Sequence, residues 1–148
     1  MMYRCLIANR GEIAVRIIRA CRELNIETVA IYAKGDENSL HVSLADQAIC
    51  IGEANPLDSY LNIDRIISAA KVTESNAIHP GYGFLSESTN FAKAVEDNHI
   101  HFIGPSKTTM EMMGDKITAR QTVKQAGVPV IPGSNDAVQS VDEIKLLA

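Results

Sequence analysis

The connection that begins at His79 and ends at Glu87 combines side chains that could do chemistry with glycines that could admit a ligand. Gly81 and Gly83 leave little bulk beside the backbone and permit positive φ, so a flat ligand could approach the peptide groups closely. Tyr82 could supply an aromatic face and a hydroxyl, and Glu87 is expected in the first turn of the next helix. The spacing identifies no ligand, so a rigid loop with His79 hydrogen-bonded inside it is an equal interpretation.

Lys116 is a second residue whose position could support chemistry. The pattern places it in the first turn of a helix, after Met113-Gly114-Asp115, which would give a flexible approach and a helix cap. The helix macrodipole disfavours a cation at that end but attracts phosphate. A phosphate contact through Lys116 is therefore one interpretation, and an ordinary solvated lysine is the other.

A turn with a single glycine, Asn9-Arg10-Gly11, follows the first predicted strand. A dinucleotide-binding turn needs three glycines to bring the pyrophosphate close to the backbone. Glu12 would also place a negative charge where the pyrophosphate meets the helix N-terminus. The pattern therefore disfavours a nicotinamide-dependent oxidoreductase, and we interpret Gly11 as part of a tight strand-to-helix turn.

The elements that position these residues alternate along the chain. Short apolar runs alternate with amphipathic helical patterns, which predicts an α/β fold with a Rossmann-like, mostly parallel sheet and helices on both faces. The predicted strands are residues 3–8, 27–33, 48–52, 76–78, 101–103 and 128–131. Because functional loops emerge at the carboxyl ends of parallel strands, the turn after the first strand and the loop after the fourth should share one edge of the sheet.

Capping residues place several helix ends. Ser86 is the expected N-cap of the helix after the fourth strand, and Asp115 caps a helix that stops at Gly127. A last amphipathic pattern begins at Ser140 or Asp142, and the sequence ends two turns into it. We expect on this ground that the chain belongs to a longer protein.

The first predicted helix, residues 12–24, carries a row of charged side chains at spacings of three and four. These are Arg16, Arg19 and Glu23, which share one face of the helix. A solvated face is the simplest interpretation of such a row, and a contact between subunits is the alternative.

Composition limits the class of protein. The chain has 148 residues, of which 46% are hydrophobic and 22% are charged, as in ordinary globular domains. The net charge of −4 gives no support to nucleic-acid binding through a basic surface. No apolar run approaches the ~20 residues needed to cross a bilayer, so we expect no membrane partner and a cytoplasmic location.

The metal-ligating and thiol residues do not form a recognisable site. Cys5, Cys21 and Cys50 lie in apolar contexts, and we expect all three to be buried, reduced thiols. His41, His99 and His101 have no i, i+4 histidine pair and no Glu-rich partner, so no metal site is predicted.

Six motifs follow one another along nearly the whole chain. They are residues 7–14, 59–63, 77–87, 102–105, 113–116 and 126–129. In this order the chain resembles the N-terminal domain of biotin carboxylases, most simply the separate subunit of a bacterial acetyl-CoA carboxylase, which acts in fatty-acid biosynthesis. Pyruvate, propionyl-CoA and related carboxylases carry a similar domain, and a start at Met1, close to the first strand, favours the free-standing subunit.

The resemblance implies a ligase with an ATP-grasp fold that uses ATP, bicarbonate and Mg²⁺ or Mn²⁺ to carboxylate biotin held on a carrier protein. Residues 1–133 would be the N-terminal domain, and residues 134–148 would begin the connection to the ATP-grasp region. The implied partners are the remainder of the carboxylase chain, the biotin carboxyl carrier protein and carboxyltransferase subunits, with a homodimer in the full-length protein. The alternative class is a stand-alone nucleotide-binding or interaction module.

The resemblance also implies roles for particular residues. Lys116 matches a nucleotide-contacting lysine. The residues that match the loop facing biotin and bicarbonate are Tyr82, Gly83 and Glu87, and those that match a dimer contact are Arg16, Arg19 and Glu23. The family's glycine-rich lid, metal-binding carboxylates and catalytic arginine lie beyond the last residue, so we expect no catalytic residue here and no carboxylase activity from the isolated chain.

Overall fold

The computed structural model describes residues 3–131, apart from the side chain of Lys116. The chain divides into two compact units, of which the first ends at Ser106 and the second begins at Lys107. Within the described residues, every helix falls short of the length and apolarity that a membrane span requires.

The first unit contains five strands, four α-helices and one turn of 3₁₀-helix at Pro56–Asp58. The strands are β1 (Arg4–Ile7), β2 (Glu27–Ala33), β3 (Gln47–Gly52), β4 (Ala77–His79) and β5 (His101–Phe102). The helices are α1 (Gly11–Glu23), α2 (Leu40–Leu44), α3 (Ile63–Val72) and α4 (Thr89–Asp97). The second unit contains α5 (Lys107–Gly114) and α6 (Lys116–Gln125).

The five strands form one parallel sheet in the order β3-β2-β1-β4-β5. The chain adds β2 and β3 on one side of β1, then returns to add β4 and β5 on the other side. Since parallel crossovers are right-handed, this reversal puts α1 and α2 on one face of the sheet and α3 and α4 on the other. In agreement, α1 packs against α2 and α3 packs against α4. The predicted α/β fold is confirmed.

The central strand β1 is buried on both faces, as expected for a strand between two helical layers. Cys5, Leu6 and Ile7 are fully buried, and the apolar stripe of α1 packs onto this strand through Ile17 and Ile18. On the opposite side of the sheet, the ring of Phe91 in α4 meets that of Phe102 in β5 edge to face, with centroids 5.9 Å apart. The core is therefore built around the strand from which the site loops emerge.

The start of α4 differs from the prediction. Ser88, not Ser86, is the N-cap, and its hydroxyl accepts a hydrogen bond of 3.2 Å from the Phe91 N–H. Two successive turns come first, closed by bonds from Ser86 N–H to Gly83 C=O and from Ser88 N–H to Leu85 C=O. The prediction that Glu87 lies in the first helical turn is therefore wrong, because these turns extend the loop to residue 88.

Two further predictions are wrong. The apolar run at residues 128–131 is not a strand: within the described residues it pairs with no strand, Pro129 has no N–H to donate, and Ile131 is 84% exposed. Cys50 is exposed, because it lies on the edge strand β3, whereas Cys5 and Cys21 are buried as predicted. The expected helix after Ser140 and the boundary at residue 133 lie outside the described residues.

Candidate functional site

The candidate site lies where the loops after β1 and β4 meet. These two strands are neighbours in the sheet, yet their outgoing helices cover opposite faces, so a crevice opens between the loops at their carboxyl ends. The pairing continues past the strands, since Ala8 N–H donates to His79 C=O at 2.9 Å. Residues 79–88, which we call the site loop, therefore start beside the β1–α1 turn.

Asn9 fastens the site loop to that turn. Its side-chain amide donates to the carbonyl oxygens of Pro80 at 2.7 Å and Tyr82 at 2.8 Å. Its Oδ1 accepts from Arg10 N–H at 2.9 Å, and the side chain is only 3% exposed. One buried amide thus satisfies backbone groups of both loops at once.

The two glycines of the site loop have different roles, although both have positive φ. A Cβ on Gly81 would lie 2.8 Å from Asn9 Nδ2 and 3.1 Å from Ile13 Cγ1, so this glycine permits the close packing of the two loops. A Cβ on Gly83 would meet nothing within 4 Å. The backbone of Gly83 is therefore open to a ligand, as the sequence interpretation required.

His79 is held inside the loop. Gly81 N–H donates to His79 Nδ1 at 3.0 Å, so that nitrogen is unprotonated. Burial lowers the pKa of His79, which keeps the ring neutral at pH 7. The alternative interpretation of this histidine as an internal hydrogen-bonding residue is therefore confirmed, and it coexists with an open ligand surface at Gly83.

Tyr82 projects from the loop and is 58% exposed. Its hydroxyl donates a hydrogen bond to Glu12 Oε1 in the first turn of α1. That bond, together with the negative charge of Glu12, raises the pKa of Tyr82, while the charge of nearby Arg16 acts in the opposite direction. The phenol therefore stays protonated at neutral pH and serves as a donor.

A second contact holds the other end of the tripeptide formed by residues 82–84. The ring of Phe84 stacks on Tyr60, with centroids 5.2 Å apart and planes inclined by 14°. The Tyr60 hydroxyl accepts from Ala33 N–H at 3.0 Å and donates to Asp36 Oδ2 at 2.7 Å. The stack is thus anchored to the end of β2.

Arg10 and Asp36 form a charge pair beneath this stack. The guanidinium donates to both carboxylate oxygens, at 2.8 Å and 2.5 Å, and lies 5.8 Å from the Tyr60 ring centroid. Burial alone would raise the pKa of Asp36, but the hydrogen bonds from Arg10 and Tyr60 outweigh it and lower that pKa. Since the charge of Arg10 is already compensated, this turn is a poor site for phosphate.

Two cavities flank the site loop. One, of about 320 Å³, lies between the β1–α1 turn and Tyr82, Gly83 and Phe84. The other, of about 290 Å³, lies against Asp36 and Tyr60, and Arg10 and Phe84 line both. The first cavity offers an open peptide, an aromatic edge and one carboxylate, which suits a flat ligand with hydrogen-bonding groups.

A larger open groove of about 500 Å³ lies beside the edge strand β3 and helix α3. Three of its charged side chains already have partners: Lys34 pairs with Glu53 at 2.5 Å, and Arg65 donates to the Ile51 carbonyl at 3.0 Å. The groove is also far from the switch in strand order, so its size does not make it the better candidate.

The remaining predicted residues belong to other parts of the chain. Glu87 is exposed and lines neither cavity. Lys116 begins α6 in the second unit, where Asp115 caps the helix by accepting from Thr118 N–H at 2.7 Å. The three charged residues of α1, which are Arg16, Arg19 and Glu23, are all exposed on one helix face.

Sequence reasoning missed the residues that hold the loop: Asn9, Asp36, Tyr60 and Phe84. A buried strand followed directly by asparagine was a usable signal for Asn9, since such a side chain often bonds to nearby backbone. Nothing in the sequence paired Tyr60 with Phe84. Among the described residues, no group of three or more His, Cys, Asp or Glu could hold a metal ion.

Comparison with known protein families gives a direct match. The family model described as "Biotin carboxylase, N-terminal domain" matches residues 1–110. Biotin carboxylase 1 of Bacillus subtilis is 55% identical over 148 residues, which is 100% of this chain and 33% of that protein. Pyruvate carboxylase of the same organism is 50% identical over 96% of this chain, which is 12% of its own length.

A solved structure has the same fold. It is the biotin carboxylase domain dimer of 2-oxoglutarate carboxylase from Hydrogenobacter thermophilus, in complex with MgADP, ADP and bicarbonate. The TM-score is 0.87 at 50% identity, over 99% of this chain and 32% of that one. The chain therefore spans about a third of the biotin carboxylase and of the carboxylase domain that it matches.

Proposed function

The chain belongs to the family of biotin carboxylase N-terminal domains, and from this premise we propose that it forms one wall of a site where biotin is carboxylated with ATP and bicarbonate. The observation that carries the proposal is the site loop. It lies at the switch in strand order and presents the open Gly83 peptide beside the exposed Tyr82. The enzyme would be an ATP-dependent ligase, as its relatives' name implies.

In this proposal the first unit binds and orients biotin and does not carry out the chemistry. The flat ureido ring would lie against Gly83, where no side chain intervenes, with Tyr82 as its aromatic edge. Glu87 would face the same region from the end of the loop. Lys116 would contact the nucleotide at the start of α6, where a helix N-terminus favours phosphate. Because no group of three or more His, Cys, Asp or Glu lies together among the described residues, Mg²⁺ would be held by the remainder of the enzyme in this proposal.

The proposal extends to the whole enzyme. An ATP-grasp region would follow residues 1–133, with residues 134–148 as the start of the connection. The carboxyl acceptor would be acetyl-CoA, in the first step of fatty-acid biosynthesis in the cytoplasm. A second candidate is a pyruvate or 2-oxoglutarate carboxylase, because relatives with those names share half of the aligned residues.

The proposed partners are the biotin carboxyl carrier protein, carboxyltransferase subunits and a second copy of the enzyme. The exposed charged row of α1 (Arg16, Arg19 and Glu23) would supply part of the dimer contact. Because it carries two arginines and one glutamate, each subunit could offer charges complementary to the other's, as an isologous interface requires.

A chimera tests the function directly. This chain replaces the corresponding first third of Bacillus subtilis biotin carboxylase 1, with which it aligns over its full length. The chimera should carboxylate free biotin in an ATP-dependent manner. The purified 148-residue chain should give no turnover, since its described residues form a binding wall without a metal site. A folded but inactive chimera, or turnover by the chain alone, would contradict the proposal.

A matched pair of variants locates the ligand. Gly83→Ala and Gly127→Ala each place a Cβ at positive φ in open space, so both should cost about 1 kcal/mol of stability. Only Gly83→Ala should raise the KM of the chimera for biotin. Equal KM values for biotin in the two variants would show that Gly83 does not contact biotin.

A further inference from the structure

Phe84 has a backbone conformation that a phenylalanine rarely adopts. Its φ is +41°, in the left-handed region, and it directly follows Gly83, whose φ is +67°. Such a conformation in a residue with a bulky side chain persists only when the surroundings hold it. The contacts of the Phe84 side chain therefore decide whether the tripeptide 82–84 keeps its shape.

Tyr60 is the residue that holds it. Phe84 stacks on a ring that is itself only 2% exposed and that bonds through its hydroxyl to Ala33 and Asp36. Arg10 donates hydrogen bonds to both carboxylate oxygens of Asp36 and so holds this carboxylate in place. The support for Phe84 is thus rigid, because it consists of a buried ring fixed by two hydrogen bonds.

The tripeptide is held by contacts at its two ends, while its middle residue makes no side-chain contact. Asn9 holds the Tyr82 carbonyl at 2.8 Å, and Tyr60 holds the Phe84 ring. Gly83 has nothing within 4 Å of its Cβ position. The direction in which the Gly83 peptide points is therefore set by residues on either side of it.

We propose that Tyr60 and Phe84 form an aromatic latch that orients the Gly83 peptide for biotin, so that Tyr60 is a positioning residue of the site. This inference rests on the proposed function. Tyr60 is 22 positions before the start of the tripeptide in sequence and does not line the cavity in front of Gly83. It acts on the ligand only through the conformation of the loop.

The first test uses the 148-residue chain and needs no ligand. The Ser86 N–H donates to the Gly83 carbonyl at 2.9 Å and so reports on the turn through Phe84. In Tyr60→Leu, which removes the stacking ring, amide exchange at Ser86 should accelerate about tenfold or more. Exchange at Phe91, bonded to Ser88 in the first turn of α4, should be unchanged. Unchanged exchange at Ser86 would overturn the latch.

The second test uses the chimera and separates positioning from stability. Tyr60→Leu should raise the KM for biotin by about tenfold, while the KM for ATP stays constant. Tyr60→Phe keeps the ring that stacks on Phe84 but loses the two hydroxyl hydrogen bonds, so it should raise the biotin KM by less than Tyr60→Leu does. An unchanged biotin KM in Tyr60→Leu, or equal rises for biotin and ATP, would overturn the inference.

A third variant covers the possibility that Tyr60→Leu does not fold. Phe84→Gly removes the ring and also the unfavourable φ, so the fold should be retained. It should raise the biotin KM and accelerate Ser86 exchange as Tyr60→Leu does, and a wild-type result in both would overturn the latch. An inactive unmutated chimera would instead contradict the proposed function, and Ser86 exchange would still decide whether the latch exists.

Discussion

Replacing Asn9 tests how strongly one buried amide joins the two loops of the site. Asn9→Ala removes three hydrogen bonds, to Pro80 O, Tyr82 O and Arg10 N. A hydrogen bond contributes about 1 kcal/mol net, so the variant should lose about 3 kcal/mol of unfolding free energy. Typical domains have about 5–15 kcal/mol in total, so the variant should still fold.

Asn9→Asp gives a sharper test because the shape is unchanged. The carboxylate would face two carbonyl oxygens at the positions where the amide now donates, in a place that is 3% exposed. At pH 7 this variant should be less stable than Asn9→Ala, since one oxygen of the buried carboxylate would face two carbonyl acceptors and only the other would keep a donor, the Arg10 N–H. Burial would raise the pKa of the new carboxyl group, so its deficit should shrink as the pH falls and the group protonates.

The assay is urea unfolding of the 148-residue chain followed by far-UV circular dichroism. Asn98→Ala is the matched control, because it removes a single side-chain bond, from Asn98 Nδ2 to the Ala94 carbonyl at 2.7 Å. The control should lose about 1 kcal/mol. Our account of the loops fails if Asn9→Ala is no less stable than this control, or if Asn9→Asp matches Asn9→Ala at every pH.

Two further predictions concern pH and assembly. Burial lowers the pKa of His41 in the folded chain. When the pH is lowered below the ordinary histidine pKa of 6.5, the unfolded chain takes up a proton there before the folded chain does, so the free energy of unfolding should decrease as the pH is lowered. The slope of unfolding free energy against pH should be shallower in His41→Gln, although His79 retains part of it. Arg19→Glu should convert the dimeric chimera to monomer in light scattering, whereas the exposed Lys71→Glu on the opposite face should not. An unaltered slope, or a dimeric Arg19→Glu chimera, would contradict these expectations.

The sequence predicted the fold well because the fold depends on local patterns. The strand at residues 27–33 was placed at its observed bounds, since its apolar residues run without a break from Val29 to Ala33. The run at 128–131 is also apolar, but it contains Pro129 and pairs with no strand among the residues that the structure describes. An apolar run in the sequence shows that a segment could form a strand, but the strand forms only where a neighbouring strand pairs with it.

The site was predicted less completely, for a related reason. The open Gly83 and exposed Tyr82 follow from residue types, and both lie where the loop was expected. The contacts that fix them come from Asn9 and Tyr60, which are distant in sequence, and no spacing rule links them to the loop. The misplaced Ser86 cap has a local cause, because three candidate caps stand between residues 86 and 89 and the turn at Phe84 selects among them.

The bonds from Asn9 to the site loop span 71 and 73 residues of sequence. Contacts of that length form late, because the chain between them must first be brought together at an entropic cost. β4 joins the sheet only by pairing with β1, and the same approach brings Pro80 and Tyr82 to Asn9. A folding intermediate that has ordered only β1, β2 and β3 would thus have most of a sheet and no binding wall. The pairing of β4 with β1 should therefore create the site at the same time.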